Sequence, residues 1–135
     1  MVKIVGKYQH ERSENLDEFF RILGVPYIPR KMMSMANPRI EISQNDDEWT
    51  LKNVTMLRTQ EIKFKLGEEY EEFMPSGVVL KNTTSLEGDC LVTISIGPDG
   101  NKVTRKYEFS DDQLILTLTQ EKSNVVCTRY FRRLE

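Results

Sequence analysis

Residues 125–133 read Val-Val-Cys-Thr-Arg-Tyr-Phe-Arg-Arg, a pattern that predicts the last strand of a sheet. Side chains of a strand alternate between its two faces, so Cys127, Arg129 and Phe131 share one face. An arginine between two apolar residues is costly to bury unless it meets an anion or hydrogen-bond acceptors. The stretch alone fits two interpretations, an edge strand with a solvated arginine or a buried arginine that meets an anion.

Alternating runs of the same kind fill the chain upstream of this strand. Turn residues separate them at intervals of about 8–12 residues, which is typical of sequential hairpins. A long meander of hairpins closes on itself because closure removes its exposed edges. With opening and closing strands at 3–12 and 125–133, we predict an all-β, ten-stranded antiparallel up-and-down barrel, one domain over residues 1–135. The other runs are 39–43, 49–53, 59–65, 68–73, 78–86, 90–96, 102–109 and 113–119, with a turn at Pro75-Ser76-Gly77 among the separators.

The apolar period changes to that of a helix over Asn15–Leu23. Asn15 can cap this helix, with Glu18 completing a capping box, and Gly24 can end it. We interpret its apolar stripe as ordinary core that covers the barrel. The residues of the stripe are Leu16, Phe19, Phe20 and Leu23.

A second short helix is predicted from Pro29 to about Ala36, since proline suits the first turn of a helix. Arg21, Arg30 and Lys31 give the resulting helix-turn-helix a basic outer face. Such a face is either simply solvated or makes transient contact with anionic membrane surfaces.

Composition narrows the class of protein. With 39% hydrophobic and 30% charged residues the chain is globular, and a net charge of −2 argues against nucleic-acid binding. No apolar run is typical of a membrane span or signal peptide, so we expect a cytoplasmic protein with free thiols at Cys90 and Cys127. His10 is the single histidine; the sequence suggests no partner for it, and we interpret it as a surface or half-buried residue. We expect no metal site, no cofactor and no catalytic residues, hence no enzyme.

The predicted strand at 102–109 places Arg105 and Tyr107 on the same face as Val103 and Phe109. Together with Arg129, this face gives the barrel interior two arginines. Buried cores do not normally collect arginines, whereas a cavity that receives an acidic ligand would.

Several stretches resemble the intracellular lipid-binding protein family of the calycins, which includes fatty-acid-binding and cellular retinoid-binding proteins. The resemblance covers essentially all 135 residues and is closest to the fatty-acid-binding proteins. The matching stretches are Gly6-Lys7-Tyr8, Ser13-Glu14-Asn15-Leu16-Asp17-Glu18-Phe19-Phe20, Leu23-Gly24-Val25, residues 64–72 (Phe-Lys-Leu-Gly-Glu-Glu-Tyr-Glu-Glu), residues 114–119 and Val126-Cys127-Thr128-Arg129.

The resemblance implies a barrel of the clam type, capped by the helix-turn-helix between strands 1 and 2. It implies a monomer that binds and transports one long-chain fatty acid or similar hydrophobic acid, with a cellular retinoid carrier as the alternative. The ligand would pass a portal formed by the second helix and the turns at 55–59 and 73–78, where Leu57, Phe73 and Met74 lie.

In the family, two arginines and a tyrosine meet the ligand carboxylate. Arg129 matches one arginine, while Phe131 stands where the family has the tyrosine. Tyr107 aligns with the other arginine, and Arg105 lies two residues earlier, so either can take that place. We hypothesise that Tyr107 supplies the missing phenol. His10 and Leu16 also depart from the family signature. The candidate ligand-binding residues are Arg129, Arg105, Tyr107, Phe131, Leu16, Phe19, Phe20, Ile40, Trp49, Leu51, Leu57, Ile62, Phe73 and Leu116.

Overall fold

The computed structural model describes residues 2–74 and 77–134 and confirms the predicted fold of ten antiparallel strands with two short helices. The predicted turn at Pro75 and Ser76 lies outside the described residues. Strand bounds follow the alternating runs closely, and the strands at 90–96 and 102–109 agree to the residue. The elements are β1 (Gly6–Glu14), α1 (Leu16–Ile22), α2 (Tyr27–Met35), β2 (Arg39–Asn45), β3 (Glu48–Val54), β4 (Thr59–Lys65), β5 (Tyr70–Phe73), β6 (Val79–Glu87), β7 (Cys90–Ile96), β8 (Lys102–Phe109), β9 (Gln113–Gln120) and β10 (Val126–Leu134).

The strands form one meander, ordered β4-β3-β2-β1-β10-β9-β8-β7-β6-β5. Successive strands pair in antiparallel ladders, and the ladder between β1 and β10 joins the two ends of the chain. In the part of the chain that the structure describes, no ladder joins β4 to β5. The barrel is therefore nearly closed, with a single open seam.

A β-bulge interrupts β1 opposite β10. His10 pairs with Phe131 and Arg12 pairs with Tyr130, so Glu11 is the extra residue. A bulge changes which side chains point to each face. Beyond it, Ser13 rather than Arg12 joins His10 on the inner face, and Arg12 lies over the Tyr130 ring outside, 3.8 Å from its centroid.

The core lies inside the barrel and under α1. Every strand from β6 to β10 contributes alternate buried residues, as period-2 patterning requires. The buried apolar cluster is Tyr8, Leu16, Phe19, Ile40, Ile42, Trp49, Phe64, Leu91, Tyr107, Phe109, Leu114, Leu116, Leu118, Cys127 and Phe131.

The helices differ from expectation in their caps and exposure. The predicted capping box is wrong: Asn15 has a left-handed backbone (φ 62°) and makes no side-chain cap bond. Its Nδ2 instead donates to the carbonyl of Val126 at 2.9 Å, which ties α1 to β10. The second helix begins at Tyr27, two residues before Pro29, and none of its residues is buried.

Arg133 links the segment before β1 to the turn between β8 and β9. Its guanidinium lies 4.8 Å from the centre of the fully buried Tyr8 ring. It donates hydrogen bonds to the carbonyls of Lys3, Val5 and Ser110. A Cβ on Gly6 would lie 2.9 Å from Nη1, so the glycine leaves room for this contact. One side chain thereby satisfies backbone groups from two separate segments.

We predict that Arg133→Met lowers the free energy of unfolding by about 2 kcal/mol, because three carbonyls lose a charged donor. The matched control is Arg132→Met, whose side chain is exposed and lies 3.9 Å from Glu11; it should change stability by less than about 0.5 kcal/mol. Urea unfolding followed by circular dichroism measures both. Equal losses of unfolding free energy in the two variants would contradict the role of Arg133 in linking these segments.

Candidate ligand-binding site

The two inward arginines have different surroundings. Arg105 on β8 forms an ion pair with Glu72 on β5, and its Nη2 donates to Ser95 Oγ at 2.7 Å. Asn82 Nδ2 donates to the same Glu72 oxygen at 2.8 Å. Burial acts to lower the pKa of Arg105, but the neighbouring Tyr107 and Glu72 outweigh it, so the pKa is raised. The positive charge of Arg105 is thus balanced within the protein.

Arg129 on β10 has no such acid. Its Nε donates to Ser13 Oγ at 3.0 Å, and no carboxylate of the described residues lies within ion-pair distance of it. Burial lowers its pKa, and only Cys127 acts against this. Its guanidinium also lies 6.0 Å from the centre of the Phe131 ring. A largely buried guanidinium that meets a neutral hydroxyl and an aromatic ring, but no acid, favours binding of an external anion.

The register places Tyr107 level with Arg129. Arg129 pairs with Leu116 on β9, and Leu116 pairs with Tyr107 on β8. Two interstrand spacings separate the ends of this row, about 10 Å between Cα atoms. Arg105 lies in the next inward row, opposite Leu118. Burial raises the pKa of Tyr107, against the effect of Arg105, so its phenol stays protonated and able to donate.

Next to this row, a small pocket lies inside the barrel, and Arg129 is not among the residues that line it. Four of the predicted site residues line it. The lining residues are Leu51, Ile62, Phe64, Tyr70, Thr84, Leu91, Thr93, Arg105 and Tyr107.

The other predicted site residues divide between core and surface. Leu57 and Phe73 are 79% and 68% exposed, on either side of the open seam, where portal residues would lie. Phe20 packs against the buried cluster. The buried ones are Leu16, Phe19, Ile40, Trp49, Leu116 and Phe131.

The inner wall of the barrel has a polar part that was not predicted from the sequence. Glu72 reads in sequence as one of several acids after Leu66, and nothing there indicates an inward carboxylate. Tyr70, Thr84 and Thr93 form a hydrogen-bonded chain with 2.8 and 2.7 Å between their oxygens. Alternation within β6 and β7 could have indicated the threonines, because they occupy inward positions.

His10 is half-buried, as predicted, and it has partners on the inner face that the sequence did not suggest. Nε2 lies 2.7 Å from Ser13 Oγ, and Nδ1 lies 3.2 Å from Asn37 Oδ1. The His10 ring meets Phe131 edge-on, with 5.4 Å between centroids. The bulge at Glu11 creates this arrangement, and a strict alternation of β1 would not have shown it.

The basic outer face of the helices is partly neutralised. Arg21 pairs with Glu18, and Arg30 pairs with Asp17 at 3.0 Å while donating to the carbonyl of Val25. Lys31 is exposed. Membrane contact through this face stays a prediction.

Other expectations concern membranes, metals and thiols. Neither helix is long and apolar enough to cross a membrane. Within residues 2–74 and 77–134, no three or more histidine, cysteine or acidic side chains group as metal ligands would. Both thiols are free, with Cys127 buried as predicted but Cys90 only half-buried.

Comparison with known proteins tests the predicted family and fold. Residues 5–133 match the model of the lipocalin / cytosolic fatty-acid binding protein family. The chain is 35% identical over 133 residues to a fatty acid-binding protein of Tyrophagus putrescentiae, covering 98% of this chain and 99% of the other. It is 36% identical over 139 residues to human cellular retinoic acid-binding protein 1, with the same coverage.

A solved structure gives the same answer for the fold. The fatty acid-binding protein from brain tissue of Drosophila melanogaster superposes with a TM-score of 0.88 at 36% identity, covering 96% of this chain and 99% of that one. The family predicted from the sequence motifs is confirmed. The ten-stranded barrel, its capping helices and these matches show that the chain belongs to the lipocalin / cytosolic fatty-acid binding protein family.

Proposed function

We propose that this protein binds and transports one long-chain fatty acid inside the barrel, with the carboxylate held at Arg129. The observation that carries the proposal is the contrast between the arginines: Glu72 balances Arg105, whereas Arg129 meets no acid among the described residues. The names of the relatives from Tyrophagus and Drosophila support this ligand class, and the family name supports a carrier in the cytosol.

The tail supplies most of the affinity and the head group supplies the selectivity. Burying about 14 methylenes yields roughly 11 kcal/mol gross, at about 0.8 kcal/mol each. A charge-assisted hydrogen bond adds about 1.5–3 kcal/mol, which selects an acid over a neutral polar end. Tyr107, level with Arg129, contributes a phenol donor, and Arg105 with Glu72 forms the polar wall beside it.

A retinoid carrier is the second candidate function. The relation to human cellular retinoic acid-binding protein 1 supports it at a similar identity. Retinoic acid also carries a carboxylate, so Arg129 would serve either ligand. Displacement of a bound fatty acid by equimolar retinoic acid would favour this candidate.

We expect the delipidated protein to bind a C16–C20 fatty acid with a stoichiometry near one, because the barrel has one interior. Isothermal titration calorimetry measures this, with circular dichroism as the control for folding. Mass spectrometry of the delipidation extract identifies the resident ligand. A folded protein that binds none of these acids would overturn the proposed function.

Arg129→Gln should weaken binding of a fatty acid about 10- to 100-fold, since only the acid loses a charge-assisted bond. Binding of the fatty alcohol of the same length should change little. Arg132→Gln, on the exposed face of the same strand, is the matched control and should affect neither ligand. Equal losses for acid and alcohol would assign Arg129 a structural role instead. The empty variant should unfold at the same or a higher temperature, because an uncompensated buried charge is removed.

Tyr107→Phe should cost about 0.5–3 kcal/mol of acid binding if Tyr107 supplies the phenol of the site. Phe131→Tyr should then change little, since a donor is already present. Displacement titrations of both variants with one fatty acid compare the two positions. The opposite pattern, a silent Tyr107→Phe and a tighter Phe131→Tyr, would contradict the role of Tyr107 and leave Arg129 as the anchor.

A further inference from the structure

A hydrogen-bonded row of side chains leads away from Arg129 along the inner face of β1. Arg129 Nε lies 3.0 Å from Ser13 Oγ, and Ser13 Oγ lies 2.7 Å from His10 Nε2. His10 Nδ1 continues the row to Asn37 Oδ1 at 3.2 Å. No group of this row is an acid. The imidazole of His10 therefore lies two hydrogen bonds from the largely buried guanidinium of Arg129.

The chemistry of arginine fixes the direction of these bonds. A guanidinium only donates, so Ser13 Oγ accepts from Arg129. The Ser13 hydroxyl is then free to donate its own hydrogen to His10 Nε2, which accepts it. The imidazole proton resides on Nδ1 and is donated to Asn37. This is the tautomer that a neutral His10 adopts here. It engages the single hydrogen of the Ser13 hydroxyl, which is then not available to a ligand.

Burial and the charge of Arg129 both favour the neutral form of His10. Burial lowers its pKa, a hydrogen bond with Asn37 opposes this, and Arg129 lowers the pKa further. Glu11, on the bulge of the same strand, acts in the opposite sense. Two other arginines lie on the neighbouring strands. Arg133 on β10 donates to the carbonyl of Ser110, and Arg39 on β2 forms an ion pair with Glu41. Arg129 is the charge nearest the row on the inner face.

We infer that His10 takes up a proton from solvent when an acidic ligand binds at Arg129, and so becomes the second cation of the head-group site. The inference rests on the proposed function and deepens it. A carboxylate at Arg129 replaces a repelling charge by a nearly neutral pair, which favours the imidazolium form. His10 acts here as a positioning residue, through Ser13.

Protonation also releases the Ser13 hydroxyl for the ligand. Once His10 Nε2 carries a proton it donates to Ser13 Oγ, as Arg129 already does. The serine hydrogen then turns away from His10 and towards a new acceptor, the ligand carboxylate. Ser13 thereby adds a second hydroxyl donor to the head-group site, beside the phenol proposed for Tyr107.

The sign of the pH dependence follows. The pKa of His10 is higher in the complex than in the free protein, so the complex binds more protons. Affinity for an anionic ligand therefore rises as pH falls through the pKa of the complex, and levels off below the pKa of the free protein. Above both values it is independent of pH.

The test uses dodecanesulfonate, whose head group stays ionised from pH 5 to 8, so that only the protein titrates. Calorimetric titrations in two buffers of different ionisation enthalpy give the protons taken up per ligand at each pH. We expect a fraction of a proton in wild type and an affinity about three- to tenfold higher at pH 5 than at pH 8. Dodecanol, of equal chain length, should cause no uptake.

Two variants separate this role from packing. His10→Gln keeps hydrogen-bonding capacity but cannot charge, and it should bind dodecanesulfonate without proton uptake and with a flat pH profile. Ser13→Ala breaks the row and should lose both the uptake and part of the affinity. Because His10 is the single histidine, NMR of its ring also follows its titration in unmodified protein, free and bound.

The outcomes are distinct. Binding of dodecanesulfonate with no proton uptake, or with uptake that persists in His10→Gln, overturns the inference and leaves the proposed function intact. An NMR titration in which the pKa of His10 does not rise on binding does the same, even if the variants fail to fold. If the folded wild type binds neither dodecanesulfonate nor any C16–C20 fatty acid, both the inference and the proposed function are overturned.

Discussion

The ladder between β1 and β10 is the interaction on which the rest of the structure depends. It joins the first and last strands, and it places inward side chains at both ends of the barrel. At one end it places Tyr8 under the guanidinium of Arg133, which binds carbonyls of two separate segments. At the other it brings Ser13 to Arg129 across 116 residues of sequence. Such long-range pairing is costly to form in a flexible chain, and burial of both strands' inner faces compensates for it.

The interior shows how one barrel can contain two arginines in different states. Arg105 is balanced by Glu72 and held by Ser95, so it contributes to the wall as part of a neutral polar network. Arg129 contacts the hydroxyl of Ser13 and the ring of Phe131, and none of the described carboxylates lies within ion-pair distance of it. Removing an internal partner from a buried charge usually costs several kcal/mol, so Arg105 depends on Glu72 in a way that Arg129 does not.

Much of the architecture could be predicted because apolar alternation is a local property. The strands at 90–96 and 102–109 and the helix stripe that buries Leu16 and Phe19 were readable on that ground. The bulge at Glu11 was not, because an extra residue is visible only against its partner strand. It moved Ser13 inside and gave His10 its partners.

The inward placement of side chains in the candidate site could be predicted, whereas their cross-barrel contacts could not. Arg129, Tyr107 and Leu116 followed from alternation and family resemblance. Glu72 did not, because its pairing with Arg105 joins strands that are 33 residues apart in sequence. Asn15 likewise resembled a helix cap in local sequence, yet its amide bonds to Val126 on the far strand.

The open seam between β4 and β5 has a consequence for how the molecule behaves in a crowded solution. Each edge presents unpaired backbone groups that could template addition of a strand from another copy. Here β5 is only four residues long, and the outward positions of the two edges carry charges. Lys63 and Lys65 line one edge and Glu71 the other, all exposed. A short edge strand and charged side chains both disfavour pairing with another copy, so these residues act against edge-to-edge association at the open seam.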